Sequence, residues 1–419
     1  MRLPRTVIAA ATSGARRRHR SNGGQLRASA SRLFRPLVAA ALVVGAAALT
    51  LGLIFGLAGL ASDEPPTSAG LQSLLQRGTP LVVFSEFGEE ADTLWAADPD
   101  DPRDRIQLGR VNHALGYGIS PTLSPDGTSI AYTVLPPEVA RPGLDTLAEL
   151  WLLDTAGGKT RRLAQGVDLF AAPVWSPAGD AVVVRRGGWR ADGSASFQLL
   201  RIDLNGATVQ VAAAEADLFP IDFSPDGAWF FYAALTRAGT ELTRAPAGGG
   251  GAADTVAHLS DGVARDWRLS PDGMRLAYLA QAPDDANVAF VLRVLDLQTG
   301  EVAASPDDGA AQFSLLWERD GVLTVGRLDG GGAPARLVVE GAGAPLESAL
   351  LPGPAGGTGF DVPISWSPDG VHLAVRSFAA ASLADPGPSR VVVVATDGGR
   401  RELSPLSDIT IVGWLEAAP

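Results

Sequence analysis

The sequence predicts an all-β fold, a seven-bladed β-propeller of four-stranded blades, preceded by one transmembrane α-helix. Three observations carry this reading. A short motif built on Ser-Pro-Asp-Gly recurs at a near-constant interval, each interval holds four short alternating apolar runs, and the two ends of the array complement each other.

The chain of 419 residues begins with a basic segment: residues 1–35 hold nine arginines and no acidic residue, are rich in Ser and Gly, and show little apolar periodicity. Such a composition buries too little apolar surface to fold, so 1–35 reads as a disordered tail. No charge falls among the 27 residues from Pro36 to Ser62. A bilayer core takes about 20 apolar residues in a helix, whereas a secretory h-region is roughly 7–15 long, so residues 36–61 read as an uncleaved transmembrane helix. The arginines upstream and Asp63 and Glu64 downstream put the N-terminus in the cytoplasm and the remainder outside. The expectation is a single-pass protein of the cytoplasmic membrane. A signal peptide cleaved after the small-x-small Gly59-Leu60-Ala61 is the alternative. Residues 62–79 read as a linker with a helical turn at its end.

The array occupies 80–419. Its copies include TLSPDGTSIAYTV, VWSPAGDAVVVRR, DFSPDGAWFFYAA, RLSPDGMRLAYLA, LWERDGVLTVGRL and SWSPDGVHLAVRS. The residue before each turn is Leu123, Trp175, Phe223, Leu269, Trp317 and Trp366, with Trp414 as a seventh, at gaps of 52, 48, 46, 48, 49 and 48. Each unit reads in the same order: an anchor strand A, a tight turn whose Gly takes φ > 0, an alternating strand B, a variable loop, strand C, a Gly turn and strand D. The first unit starts at strand B (LVVFSEF) and lacks an A; the last run (ITIVGWL) is an A without B, C or D. Pairing the two completes a blade and closes the ring, which leaves no open gap. Six blades is the alternative count, if the weak unit 322–365 is not a full blade.

These units, WSPDGVHLAV and LSPDGMRLAYL among them, resemble the WD-like repeats of TolB-type β-propellers over about 80–419. The resemblance implies a propeller and is weak for function. Similar repeats form the propellers of dipeptidyl-peptidase and tricorn-like enzymes, which add an α/β-hydrolase domain. No Gly-x-Ser-x-Gly occurs in 63–419, so that activity is not carried over.

Charge narrows the function. The tail takes nine of the 34 basic residues and none of the 46 acidic ones, which leaves 25 against 46, or −21, on residues 63–419. A nucleic-acid partner is therefore not expected. With no cysteine and only His19, His113, His258 and His372, far apart in sequence, no metal site, cofactor or catalytic residue is assigned. The repeated Ser-Pro-Asp-Gly reads as turn chemistry, and the tryptophans at 175, 317, 366 and 414 as packing between blades.

Binding residues are sought on one face. The D–A connections and the B–C loops share an end of the propeller, and loops on a rigid scaffold are where binding tends to sit. Asp168, Asp217, Asp361 and Asp408 lie a few residues before an anchor, and Asp266 closer still. They would ring the channel mouth as an acidic funnel for a cationic ligand or basic partner, or each would cap its own turn. Trp189, Arg190 and Arg141, on the long B–C loops, are the contact candidates. The expected function is a membrane-anchored scaffold that binds a protein or small ligand through this face. An enzyme acting on glycans or peptides with funnel carboxylates, or a sensor ectodomain, is the alternative.

Overall fold

The computed structural model describes residues 68–140, 142, 146–189, 195–281, 290–305, 311–329, 331–339, 345–380, 382–405 and 408–417. The tail 1–35, the apolar run 36–61, Arg141, Arg190 and the side chain of Trp189 lie outside them. No helix among the described residues is long and apolar enough to cross a membrane.

Seven four-stranded antiparallel sheets form the array, so the blade count is seven and not six. Blade 1 begins with β1 (Leu81–Glu86), β2 (Ala91–Ala97) and β3 (Arg105–Asn112). Blade 2 is β4 (Ser120–Leu123), β5 (Ser129–Val134), β6 (Ala148–Asp154) and β7 (Thr160–Val167). Blade 3 is β8 (Val174–Trp175), β9 (Ala181–Trp189), β10 (Ala195–Asp203) and β11 (Thr208–Ala214). Blade 4 is β12 (Asp217–Phe223), β13 (Trp229–Thr236), β14 (Gly239–Pro246) and β15 (Asp254–Ser260). Blade 5 is β16 (Ala264–Leu269), β17 (Arg275–Gln281), β18 (Phe290–Asp296) and β19 (Val302–Ala304). Blade 6, the weak unit, is complete as β20 (Gln312–Trp317), β21 (Leu323–Arg327), β22 (Ala335–Val338) and β23 (Leu346–Leu350). Blade 7 is β24 (Phe360–Trp366), β25 (His372–Phe378), β26 (Ser389–Ala395) and β27 (Arg400–Glu402).

The last strand, β28 (Ile409–Leu415), pairs antiparallel with β1, from Leu81 opposite Leu415 to Glu86 opposite Ile409. This is the expected closure, and the Phe87 N–H extends it by donating to the Asp408 carbonyl at 2.9 Å. Across the seam, Val82, Phe84 and Trp414 pack with Ala374, Val391 and Val393 of blade 7. The apolar core lies largely between blades in this way, and no blade buries its faces alone.

The turn motif works as read. Ser367 Oγ accepts from the His372 N–H at 2.9 Å and donates to Asp369 Oδ1 at 2.5 Å, while Asp369 Oδ1 accepts from the Val371 N–H at 3.1 Å. Ser124, Ser224 and Ser270 repeat the pattern. The closing Gly370 has φ +70, a conformation that costs a residue with Cβ about 1–2 kcal/mol. Each anchor tryptophan reaches back to the preceding blade through Nε1: Trp175 to Thr122 O at 3.2 Å, Trp317 to Arg268 O at 3.0 Å, Trp366 to Thr324 Oγ1 at 3.0 Å and Trp414 to Ser365 Oγ at 2.7 Å.

Two expectations change in detail. Inside the stretch read as a linker stands a two-turn helix, α1 (Ser68–Leu75), because Leu71, Leu74 and Leu75 share one helical face and pack on the core shared by blades 1 and 2. Residues 187–196 read from the sequence as the B–C loop of blade 3, but strand pairing runs out to Trp189 opposite Ala195, so the loop is shorter.

Candidate functional site

Antiparallel order puts the A–B and C–D turns at one end of the blades and the B–C loops and D–A linkers at the other, here called the loop face. Among the predicted residues, Asp168 and Asp217 are brought together by a side chain that was not predicted, Arg185 of β9. Its Nε donates to Asp168 Oδ2 at 2.6 Å and its Nη1 to Asp217 Oδ1 at 2.9 Å and to the Leu218 carbonyl at 3.2 Å. The guanidinium lies 4.5 Å from the centre of the Phe197 ring. All three charged side chains are only 11–13% exposed, so losing one partner would strand a charge in a protein environment. Burial pushes the Asp217 carboxyl above its ordinary value; Arg185 pulls it back and Asp168 pushes it further. Asp168 also caps its own turn through the Phe170 N–H at 2.9 Å, and its backbone N–H donates to the Arg185 carbonyl at 2.8 Å.

The other carboxylates do not join this cluster. Asp361 is fully buried and held by Arg400 Nη1 at 2.8 Å and Nη2 at 3.1 Å. Asp408 is exposed beside Arg376, whose Nη2 donates to the Ile409 carbonyl at 2.7 Å. Burial lowers the Arg376 pKa and Asp408 opposes that. Asp266 stands at φ +55 where β16 slips register against β17, between Arg265 and Arg268. Arg185, Arg327 and Arg376 each stand ten residues after an anchor, on strand B of blades 3, 6 and 7. That spacing was a readable signal in VVVRR, LTVGR and LAVR. Most of the predicted acidic charge on this face is thus met locally by arginine.

Two further groups escaped the sequence reading. His113 and Asp92 are buried together, with Nε2 3.0 Å from Asp92 Oδ1 and Nδ1 2.9 Å from the Ala114 carbonyl. A carbonyl only accepts, so the hydrogen of that contact is on Nδ1. Asp92 Oδ2 accepts the Ile119 N–H at 2.9 Å, so one carboxylate holds both ends of the linker between blades 1 and 2. Asp222 precedes the anchor Phe223 and is pushed up to about 6 by its surroundings, with the Phe223 N–H at 2.8 Å and Arg268 opposing. It is accessible to water yet hemmed in by protein.

Three large apolar side chains stand out from the loop face of blade 2. Phe170 is 75% exposed, Leu115 67% and Leu147 41%. Their chain neighbours Leu169, Ala114 and Ala148 belong to one buried cluster, which places the three around one blade end. Ser120 Oγ at 2.8 Å and Thr133 Oγ1 at 2.9 Å both donate to the Leu169 carbonyl. The exposed residues therefore ride on backbone fixed from below.

A groove of about 700 Å³ lies elsewhere, between the C–D turn of blade 1 (Asp100–Arg105) and Arg401–Pro405, which run from the outer strand of blade 7 into the linker after it. Its charged walls are already engaged: Arg105 with Glu86, Arg103 with Asp101, Arg401 with the Asp100 carbonyl and Glu402 with Arg390.

No family model and no curated protein matches the chain. Similar solved structures include prolyl oligopeptidase B from Galerina marginata bound to a 25mer macrocyclization substrate, at 14% identity and TM-score 0.55, over 83% of this chain and 51% of that one. TolB from Acinetobacter baumannii matches at 16% identity and TM-score 0.46, over 80% of this chain and 66% of that one. A putative TolB from Agrobacterium tumefaciens matches at 21% identity and TM-score 0.42, over 62% of this chain and 87% of that one. At such identities the peptidase likeness is one of fold, and this chain spans about half of the peptidase's length.

Proposed function

We propose that the protein is a membrane-anchored, extracytoplasmic propeller that docks a protein partner through its loop face. The observation that carries this is the exposure of Phe170, Leu115 and Leu147 on backbone that buried hydrogen bonds and the Arg185 clamp hold in place. An exposed aromatic on a pre-organised platform loses little entropy on binding, which is what interface anchors need. The anchor at 36–61 and the outside location rest on the uncharged run and the arginines before it.

Two experiments test the reading. The chain has no cysteine, so Ala238→Cys, on an exposed hairpin, is a unique thiol. Labelling by a membrane-impermeant maleimide in intact cells supports an outside propeller; labelling only after lysis overturns it. A photo-cross-linker at position 170 should trap a protein that the same group at position 371, on the opposite face, does not. Equal capture at both positions overturns docking on the loop face.

The enzyme reading has one observation in its favour, the raised carboxyl of Asp222. The charge acting on it is that of Arg268 and no second carboxylate. Glycoside hydrolysis calls for two carboxylates about 5–9.5 Å apart, so the binding reading is preferred.

A further inference from the structure

We propose that the partner docked on the loop face of blade 2 is a second copy of this chain, related to the first by a two-fold axis through the apolar patch. This rests on the reading of the loop face as a docking surface and names its occupant. Leu115, Leu147 and Phe170 together offer on the order of 300 Å² of apolar surface, the size of a patch that marks an interaction site on a monomer. Two copies would withdraw on the order of 600 Å² from water, about half of the ~1,200 Å² at the low end of specific interfaces, and the rim around the patch supplies the rest. A contact of that size is reversible, with a Kd in the micromolar range.

The rim carries both signs, and their placement selects the occupant. Blade 2 stands between blades 1 and 3 and shares an apolar cluster with each. On the blade 1 side, the Glu90 carbonyl accepts the His113 N–H at 2.9 Å, which sets this exposed glutamate beside the linker that carries Leu115. On the blade 3 side, Arg186 of β9 donates to the Gly166 carbonyl at 2.8 Å and the Gln165 carbonyl at 3.0 Å. Both acceptors are neutral, so the guanidinium keeps its full charge. A methyl group on Gly166 would lie 3.7 Å from Leu147 Cδ1 and 3.8 Å from Arg186 Nε and Nη2, so the leucine and the arginine cover the same glycine. Acid therefore flanks the patch on one side and base on the other. The neighbouring charges do not tip this balance. Asp168 is neutralised by Arg185 and Glu149 by Arg162, and Glu89 has a partner of its own within the chain. Arg110 on β3 and Glu138 on the B–C turn of blade 2, both exposed, add one charge of each sign.

A half-turn about an axis through the patch lays the Glu90 side of one copy on the Arg186 side of the other, twice over, with apolar surface against apolar surface between them. A partner of uniform charge gains at one side of the patch and loses at the other, whereas a second copy gains at both. The overall charge acts against the pairing: residues 63–419 carry 25 basic against 46 acidic residues, so two copies repel at long range. At about 0.15 M salt that repulsion is screened beyond ~8 Å, while Glu90 and Arg186 meet at contact.

The test measures energy transfer between donor- and acceptor-labelled populations of the full chain, each labelled at Ala238→Cys, in a non-ionic detergent at about 0.15 M salt. The signal should rise with concentration and saturate in the micromolar range. Glu90→Arg and Arg186→Glu, each alone, set like charges against each other at both contacts and should weaken pairing by at least about 10-fold. Mixed together, the two variants present opposite charges at both contacts, so pairing should return to within about 3-fold of wild type. Mixing does not cure a fold damaged by either substitution, so recovery reports the contact itself. Leu115→Ser with Phe170→Ser should weaken pairing by about 10-fold. Every variant shares the same anchor segment and micelle, so differences between variants report the patch. If the mixture pairs no better than either variant alone, or the Ser variant pairs like wild type, the second copy is not the occupant. The cross-linker at position 170 then separates the two readings. Capture there of a different protein, absent at position 371, overturns the second copy and leaves the docking surface standing; equal capture at both positions overturns the docking surface as well.

Discussion

Replacing Arg185 by Met keeps an unbranched stem and removes the guanidinium from between two carboxylates. Asp168 loses its 2.6 Å donor and Asp217 its 2.9 Å donor, and both are about nine-tenths buried. Breaking a buried pair from one side costs about 3–5 kcal/mol, because the remaining charge is stranded. Here one carboxyl can take up a proton, which caps the cost near the lower end. The lost contact with the Phe197 ring adds about 0.5–1 kcal/mol. The expected destabilisation at pH 7–8 is therefore about 3–4 kcal/mol.

The pH dependence gives the sharper test. Without Arg185, nothing opposes the burial and the Asp168 charge that already raise Asp217. A carboxyl raised in the folded state above its unfolded value of about 3.9 contributes stability that is present below that value. That stability is lost as pH rises through the folded pKa. Urea midpoints of the Met variant should thus lie near wild type at pH 4 and well below it at pH 8. Adding Asp168→Asn and Asp217→Asn should recover about 2 kcal/mol. A deficit below about 1 kcal/mol, a flat pH profile, or a triple variant no better than the single one would each refute the clamp.

Three other outcomes follow. Asp222, raised to about 6, favours the folded state when protonated, so Asp222→Asn should match wild type at pH 4 and melt higher at pH 8. Its exposure to water screens the effect down to about 1 kcal/mol, and a difference independent of pH counts against the assignment. Trp414→Ala removes the Ser365 contact and the packing at the closing seam, so it should cost about 3–5 kcal/mol. Hydrogen exchange should quicken first in β1 and β28, and uniform quickening would show that the seam is not the weak point. Ser367→Ala strips the His372 N–H of its side-chain acceptor and leaves Asp369 with the Val371 N–H as its donor, worth about 1–2 kcal/mol in a denaturation midpoint. An unchanged midpoint would show that the serine is not the hub of its turn.

The fold was legible because the repeat encodes geometry that acts over a few residues. A Ser-Pro-Asp-Gly turn is closed by atoms at most five residues apart, and the anchor interval places each tryptophan beside the blade before it. Charge pairing was less legible, since it depends on the ring. Asp168 finds Arg185 17 residues away and Asp217 finds it 32 away, across two linkers. Asp92 and His113 look like unrelated residues in sequence and meet only because β2 and β3 are neighbours. The acidic-funnel expectation counted carboxylates along the chain and did not count the arginines that the B strands carry to the same end.

One pair of segments shows how function separates from the repeat. Asp168-Leu169-Phe170 and Asp217-Leu218-Phe219 have the same three residues before an anchor, but the first lies seven residues ahead of Trp175 and the second six ahead of Phe223. In blade 4 the triplet joins β12, and Phe219 settles 5.2 Å from the Trp267 ring of the next blade. In blade 3 the extra residue breaks that register, and the inner strand shrinks to Val174–Trp175. A one-residue shift turns side chains to the opposite side of a strand. The carboxylate still reaches Arg185, so the linker stays fixed while Phe170 is left 75% exposed. The repeat therefore supplies the rigid ring, and a departure of one residue from it supplies the exposed aromatic on which the proposed docking depends.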